Sequence, residues 1–221
     1  MRSSKAVKRA NKASADDLAA TVAIPNTFNA KNQTFYVRVK LSSSLTDNEK
    51  SHIWDLYEAN MRALVEPSSF GWNPSEKREE LFHRDARFIM VYLDDPDSQD
   101  SKNSHPAPVA FSMFRFELEE GDDVLYCYEL QVSELFRNSG LGRFIVDKLL
   151  MIGKYWGMDR VILTVLKSNT AARRFYAKQG FEIDPTSPEY ESFAEDEETA
   201  GADDAAEQED YDYEILSRAL Q

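Results

Sequence analysis

The stretch Arg137-Asn138-Ser139-Gly140-Leu141-Gly142-Arg143 lies between a segment of strand character, Val124 to Val132, and a long amphipathic one, Phe144 to Tyr155. Glycines at 140 and 142 let the backbone approach a ligand closely. The first amides of a helix have no partner within the helix, and the helix dipole favours an anion beside them. A pyrophosphate group suits such a turn. An ordinary tight strand-to-helix connection fits the same residues. Two other phosphate loops are excluded. There is no Gly-Lys-Ser/Thr ending, and no glycine fingerprint follows a first strand.

Working outward, Phe144, Ile145, Leu149 and Ile152 recur at helical spacing. Val161–Leu166 is a continuous apolar run, as in a strand buried on both faces. A helix is expected over Ala171–Gln179, ended by Gly180, then a strand from Phe181 to Ile183 and a last strand over Tyr211–Leu216. Upstream, Pro108–Leu118 and Val124–Val132 read as two strands joined through Glu119-Glu120-Gly121-Asp122-Asp123. Arg87–Leu93 reads as a short strand, 94–107 as an exposed loop, and 34–41 as an alternating strand. Thr46-Asp47-Asn48-Glu49 has the spacing of a capping box, so a helix should run to about Val65. Pro74 suits the first position of a short helix ending near Phe82. The order of elements is that of an α/β or α+β mixed sheet, without regular βα repeats.

Charge divides the chain. The net charge is −13, from 39 acids and 26 bases. Thirteen of the acids lie in 189–214, which holds no Lys or Arg, so acids and bases balance at 26 each elsewhere. Arg2, Lys5, Lys8, Arg9 and Lys12 make the start basic. Residues 1–33 are expected as a basic, partly disordered arm, and 34–221 as one domain carrying an acidic loop over about 185–210. A single cysteine excludes an intrachain disulfide framework. No apolar run reaches the ~18 residues of a membrane span, and no secretory leader is expected. His52, His83 and His105 lack metal-ligand spacing, so no metal is expected.

The turn at 137–142 has company. Arg137-x-x-Gly140-x-Gly142, the buried strand Val161–Leu166, Asn169 and Ala172-x-x-Phe175-Tyr176-x-x-x-Gly180-Phe181 together resemble the GNAT N-acetyltransferases over about residues 85–218. Further pieces narrow the likeness: Gly71-Trp72, Glu76-Lys77-Arg78-Glu79-Glu80, Pro108-Val109-Ala110-Phe111-Ser112, Val124-Leu125-Tyr126-Cys127-Tyr128-Glu129 and Tyr213-Glu214-Ile215-Leu216-Ser217-Arg218. These resemble the N-alpha-acetyltransferase D family, whose members acetylate the N-terminal serine of histone 4 and histone 2A. The chain departs from that pattern with Phe70 for a Trp, Val65 for a Tyr, Glu117 for an Asp, and longer loops at 94–107 and 185–210.

The resemblance implies a GNAT fold, a twisted mixed sheet flanked by helices with an N-terminal extension, and acetyl-CoA as co-substrate. It places the pantetheine arm beside the backbone of Leu130, Gln131 and Val132. Arg137, Asn138, Ser139, Gly140, Leu141, Gly142 and Arg143 would hold the pyrophosphate, and Asn169 would cap the next helix beside it. It puts Phe70, Trp72, Glu117, Tyr126, Tyr128, Thr164, Ser187 and Tyr213 at the peptide, and makes histone tails the partners, in nucleus and cytoplasm. The basic arm suggests ribosome or nucleic acid as a further partner, and two other functions stay open: a lysine or small-amine acetyltransferase of the same fold, and a non-catalytic chromatin- or ribosome-binding module. Catalytic candidates are Glu129 as base, Tyr128 at the peptide, and Tyr176 beside the departing sulfur. Each has a plainer reading, Glu129 as an orienting carboxylate and the tyrosines as core aromatics. Cys127 reads as a buried thiol. Alternation puts Tyr126 and Tyr128 on one face and Glu129 on the other, unless a bulge re-aims it. The acidic loop is either a solvated linker or a source of attraction for basic tails.

Overall fold

The computed structural model describes residues 4–21, 27–30, 32–93, 106–188, 190 and 211–220. The acidic stretch 191–210 and most of the 94–107 loop lie outside the described residues.

One eight-stranded mixed sheet organises the molecule, in the order β1-β2-β3-β4-β5-β6-β8-β7. The strands are β1 (Thr27–Ala30), β2 (Gln33–Leu41), β3 (Arg87–Tyr92), β4 (Pro108–Glu119), β5 (Asp122–Val132), β6 (Arg160–Leu166), β7 (Glu182–Ile183) and β8 (Tyr213–Ala219). All neighbours are antiparallel except β5 and β6. The helices are α1 (Lys5–Ala10), α2 (Ala15–Thr21), α3 (Asp47–Val65), α4 (Pro74–Leu81), α5 (Leu141–Trp156) and α6 (Thr170–Lys178).

Two cores lie on opposite faces. On one, α1, α2 and α5 pack on β2, β4, β5 and β6 around Leu18, Phe114, Phe116, Ile145, Leu149 and Val161. On the other, α3 and α4 cover β3 and β4 around Ile53, Trp54, Tyr57, Leu81, Phe88, Phe111 and Met113. The capping box forms as its sequence requires: Thr46 accepts from the Glu49 amide, and Glu49 accepts from the Thr46 amide.

Residues 4–21 correct the expected arm. They form α1 and α2, with Val7, Ala10, Ala13 and Leu18 buried. The Ser4 hydroxyl donates to Asp123 at 2.6 Å, Asn11 donates to the Phe116 carbonyl at 3.1 Å, and the Arg87 guanidinium donates to the Asn11 carbonyl at 3.0 Å. Arg9 donates to the Trp156 carbonyl at the C-terminus of α5, where the helix dipole favours a cation. Alanines and one leucine make a weak periodic signal, but small side chains let a short helix sit close to the sheet. Burying a side chain such as Leu18 contributes ~1.5–3 kcal/mol. Strand β1 was likewise hidden within the expected arm, while β2 matches the strand expected over 34–41.

Two features of the sheet create the site. Parallel pairing of β5 with β6 ends at Tyr126↔Ile162, while β6 stays paired with β8 up to Leu166↔Tyr213. The two central strands therefore part beyond Tyr126. In addition, the β4–β5 register slips: Met113 faces Glu129 but Phe114 faces Cys127, leaving Tyr128 as an additional residue on β5. This is the bulge that the candidate base required. Met113 belongs to the α3–α4 core, and Phe114 and Cys127 to the opposite one. Tyr126, Tyr128, Glu129 and Gln131 thus all turn toward α3 and α4.

Candidate functional site

A cavity of about 350 Å³ fills the gap between β5 and β6. Its walls come from α3 and α4, the loop 66–73, β5 over Tyr126–Gln131, β6 over Leu163–Leu166, and the start of α6. Tyr126 and Thr164 span the gap, their hydroxyls 2.6 Å apart. Tyr128 donates to Glu117 at 2.8 Å, and the two tyrosine rings lie 4.5 Å apart. Burial first, and then nearby Glu117, hold the Tyr128 phenol well above its ordinary pKa. Tyr126 is also raised, mainly by burial. Both phenols therefore stay protonated near neutral pH.

Glu129 is 7% exposed. Its Oε1 lies 2.6 Å from Lys77 Nζ, and its Oε2 accepts from Gln131 at 2.7 Å. Lys77 stands at the centre of a charged cluster, paired also with Glu80 and lying 5.1 Å from the Tyr57 ring centre. Burial pulls the Lys77 ammonium down, but Glu129 and Glu80 outweigh it and the net shift is upward, so the lysine stays charged. Nothing in the helical spacing of Pro74–Leu81 distinguishes Lys77 from its charged neighbours. Its approach to Glu129 depends on how α4 packs, and sequence reasoning missed it.

Tyr176 is 8% exposed and lines the cavity from α6. Burial, then Cys127 and Glu129, hold its phenol far above the ordinary range. Cys127 is buried, and burial pushes its thiol up to about 12, so it is no nucleophile at neutral pH.

At the open end of the gap, Gly140 caps α5 in the left-handed conformation, φ 93°, and no side chain caps the helix. The free amides of its first turn suit an anion. Asn138 is also left-handed, φ 60°, and Ser139 donates back to the Phe136 carbonyl. Gly142 has a packing role as well. A Cβ there would come within 3.2 Å of the Phe175 ring, so this glycine permits α5–α6 packing as much as any ligand contact. Asn169 caps α6 by accepting from the Ala172 amide. Beyond Tyr126, the edge of β5 carrying Leu130, Gln131 and Val132 faces the gap without pairing to β6.

The peptide candidates divide. Phe70, Trp72, Tyr126, Tyr128 and Thr164 line the cavity. Glu117 stands behind Tyr128, and Tyr213 packs on Phe70 with ring centres 5.1 Å apart. Ser187 does not join them. It is buried and accepts from the Ile215 amide, which makes it a support for β8. The loop carrying Phe70 is tied across the gap, because the Ser69 amide and hydroxyl both donate to Asp212, at 2.7 and 2.6 Å. Sequence gave no signal of this roof.

The model of the Acetyltransferase (GNAT) family matches residues 53–181, from α3 to the end of α6 and Phe181. The chain belongs to the GNAT acetyltransferase family. Solved structures agree on the GNAT fold. A GNAT acetyltransferase from Staphylococcus aureus superposes with a TM-score of 0.54 at 12% identity, covering 84% of this chain and 99% of that one. Ard1 from Thermoplasma volcanium gives 0.51 at 15%, covering 84% and 98%. Naa50 of Arabidopsis thaliana, in complex with the bisubstrate analogue CoA-Ac-MVNAL, gives 0.50 at 19%, covering 83% and 98%. Like other GNAT proteins, this one is an acetyl-CoA-dependent acetyltransferase. The uncapped turn at Gly140 and the unpaired edge of β5 fit the pyrophosphate and pantetheine of that co-substrate.

Proposed function

We propose that the acceptor is the α-amine of a protein N-terminus, and that the N-terminal serines of histone 4 and histone 2A are the substrates, in nucleus and cytoplasm. The observation that carries the reading is the bulge at Tyr128. It sets Tyr126, Tyr128 and Glu129 side by side along one wall, beneath a roof held by Ser69 and Asp212. A chain end entering under that roof would meet two phenolic hydroxyls and a carboxylate. Glu76 and Glu80 also line the cavity, which suits a basic tail.

Acetyl-CoA supplies the activated acyl group when bound. The amine attacks the thioester carbon, its proton passes to Glu129 directly or through water, and the C–S bond breaks to release the CoA thiolate. An α-amine has a pKa of about 7.7–8.0 against about 10.4 for lysine, so far more of it is neutral near pH 7 and a mild base suffices. Glu129 lies beside Lys77 and Gln131, whose donors hold the carboxylate in place without occupying every lone pair. Tyr176, kept protonated by burial, can donate a hydrogen bond to the leaving sulfur.

One assay tests this. Acetyl-CoA is offered with the N-terminal peptides of histone 4 and histone 2A, with unrelated N-termini, and with N-blocked peptides containing free lysines. Mass spectrometry locates the acetyl group. The reading expects the serine α-amine of the histone peptides alone. Acetyl groups on lysine side chains of the blocked peptides would overturn it.

A further inference from the structure

A continuous line of polar side chains joins the two ends of the site. Arg137, in the turn before α5, donates to Asn60 Oδ1 at 2.8 Å. Asn60, on α3, donates through Nδ2 to Gln131 Oε1 at 2.9 Å and to the Val132 carbonyl at 3.1 Å. Gln131 donates through Nε2 to Glu129 Oε2 at 2.7 Å, and Lys77 holds Glu129 Oε1 at 2.6 Å.

The ends fix the direction of the middle. A guanidinium only donates, and an ionised carboxylate only accepts. Asn60 must therefore turn its oxygen to Arg137 and its amide nitrogen to Gln131, and Gln131 must turn its nitrogen to Glu129. Reversing either amide would set two donors or two acceptors against each other. Gln131 is 5% exposed, so its amide has little water to fall back on. The line also crosses from α3 to β5 and on to the turn before α5, the three elements that border the opening of the gap.

We propose that Asn60 and Gln131 are positioning residues that couple the phosphate turn to the base, so that Arg137, in engaging the anionic co-substrate, helps set the Glu129 carboxylate. This rests on the reading of Glu129 as the base and of 137–143 as the pyrophosphate turn. Coupling of this kind acts at saturation. Losing a phosphate contact raises the KM for acetyl-CoA, whereas losing the aim of the carboxylate lowers kcat when both substrates are saturating.

The test is a double-mutant cycle read on kcat at saturating acetyl-CoA and peptide. Asn60→Leu, Gln131→Met and Arg137→Ala are made singly and as the pairs Asn60→Leu/Arg137→Ala and Gln131→Met/Arg137→Ala. Thermal melting confirms that each variant folds. Asn60→Asp serves if Asn60→Leu does not, since it keeps the shape and cannot donate to Gln131. Each single change should lower kcat about threefold to tenfold, the worth of one hydrogen bond. Each pair should be no worse than its weaker member, because a broken line cannot be broken again. Kcat within twofold of wild type in the Asn60 and Gln131 variants, or losses that multiply in the pairs, would overturn the coupling. Glu129→Gln separates this failure from that of the underlying reading. If it retains turnover, there is no base to aim. If it loses turnover while the cycle is multiplicative, the base stands and the coupling falls.

Discussion

The two walls of the cleft are built from different materials. The co-substrate wall is mostly backbone: an uncapped helix turn at Gly140 and a strand edge left open where β5 leaves β6. The acceptor wall is mostly side chain: Tyr126, Tyr128, Glu129 and Lys77, with Phe70 and Trp72 across from them. Backbone sites depend on local conformation, which a short run of residues specifies. Side-chain sites depend on which distant elements meet. The first wall should fail through conformation and the second through single functional groups.

That contrast can be broken at five places. The largest effect is expected on the acceptor wall. Glu129→Gln keeps the shape and removes the proton acceptor, so kcat should fall by ~10²–10⁴. Part of the loss should return in alkaline buffer, where the amine is already neutral. Steady-state rates across the pH range check this, and near-normal turnover at neutral pH would leave Glu129 only as the partner of Lys77. Next comes Gly140→Ala, which forces a side chain into a left-handed position, φ 93°. The strain is ~1–2 kcal/mol, so acetyl-CoA affinity measured by calorimetry should fall about tenfold. Gly142→Ala should act differently. Its Cβ meets Phe175, so the melting temperature should fall more than the affinity. Smaller again is Tyr128→Phe, which removes the hydroxyl bonded to Glu117. Peptide KM should rise about threefold to tenfold, with acetyl-CoA affinity unchanged. Equal loss of both would make Tyr128 a core aromatic.

What the sequence revealed follows the same division. The helix at 47–65, the hairpin of β4 and β5 and the turn before α5 were readable, because capping boxes, alternation and paired glycines act over a few residues. The bulge at Tyr128 was a stated requirement but not a derivable one. It depends on a register between β4 and β5 that either strand alone leaves open. Lys77 was hidden among other charged residues on a short polar helix, and Asn60 looked like an ordinary half-exposed helical residue. The docking of α1 and α2 was missed because alanine contacts give almost no hydrophobic periodicity. Ser187 is the opposite case: likeness to a family gave it a role at the peptide, and the contact it makes here supports β8.

The smallest expected effect concerns the roof. Ser69 gives both of its donors to Asp212, and Phe70 leans on Tyr213, so these contacts help hold down the loop 66–73. The Ser69 bonds lower the Asp212 carboxyl below its ordinary pKa. A group whose folded pKa is depressed contributes above its unfolded value, ~3.9, and loses that contribution as pH falls through the folded one. Acidity therefore does not weaken the tie at any pH where the amine reacts, and substitution is the way to test it. Asp212→Asn and Ser69→Ala should leave kcat for a free N-terminus nearly unchanged and raise peptide KM by about twofold, because solvent replaces most of an exposed hydrogen bond. The informative readout is selectivity. A loosened roof admits a chain passing through the cleft as well as a chain end, so N-blocked peptides should begin to take acetyl groups on lysine. Both variants keeping blocked peptides unreactive would mean that the tie does not guard the entrance, and that the choice of amine rests on the wall of Tyr126, Tyr128 and Glu129 alone.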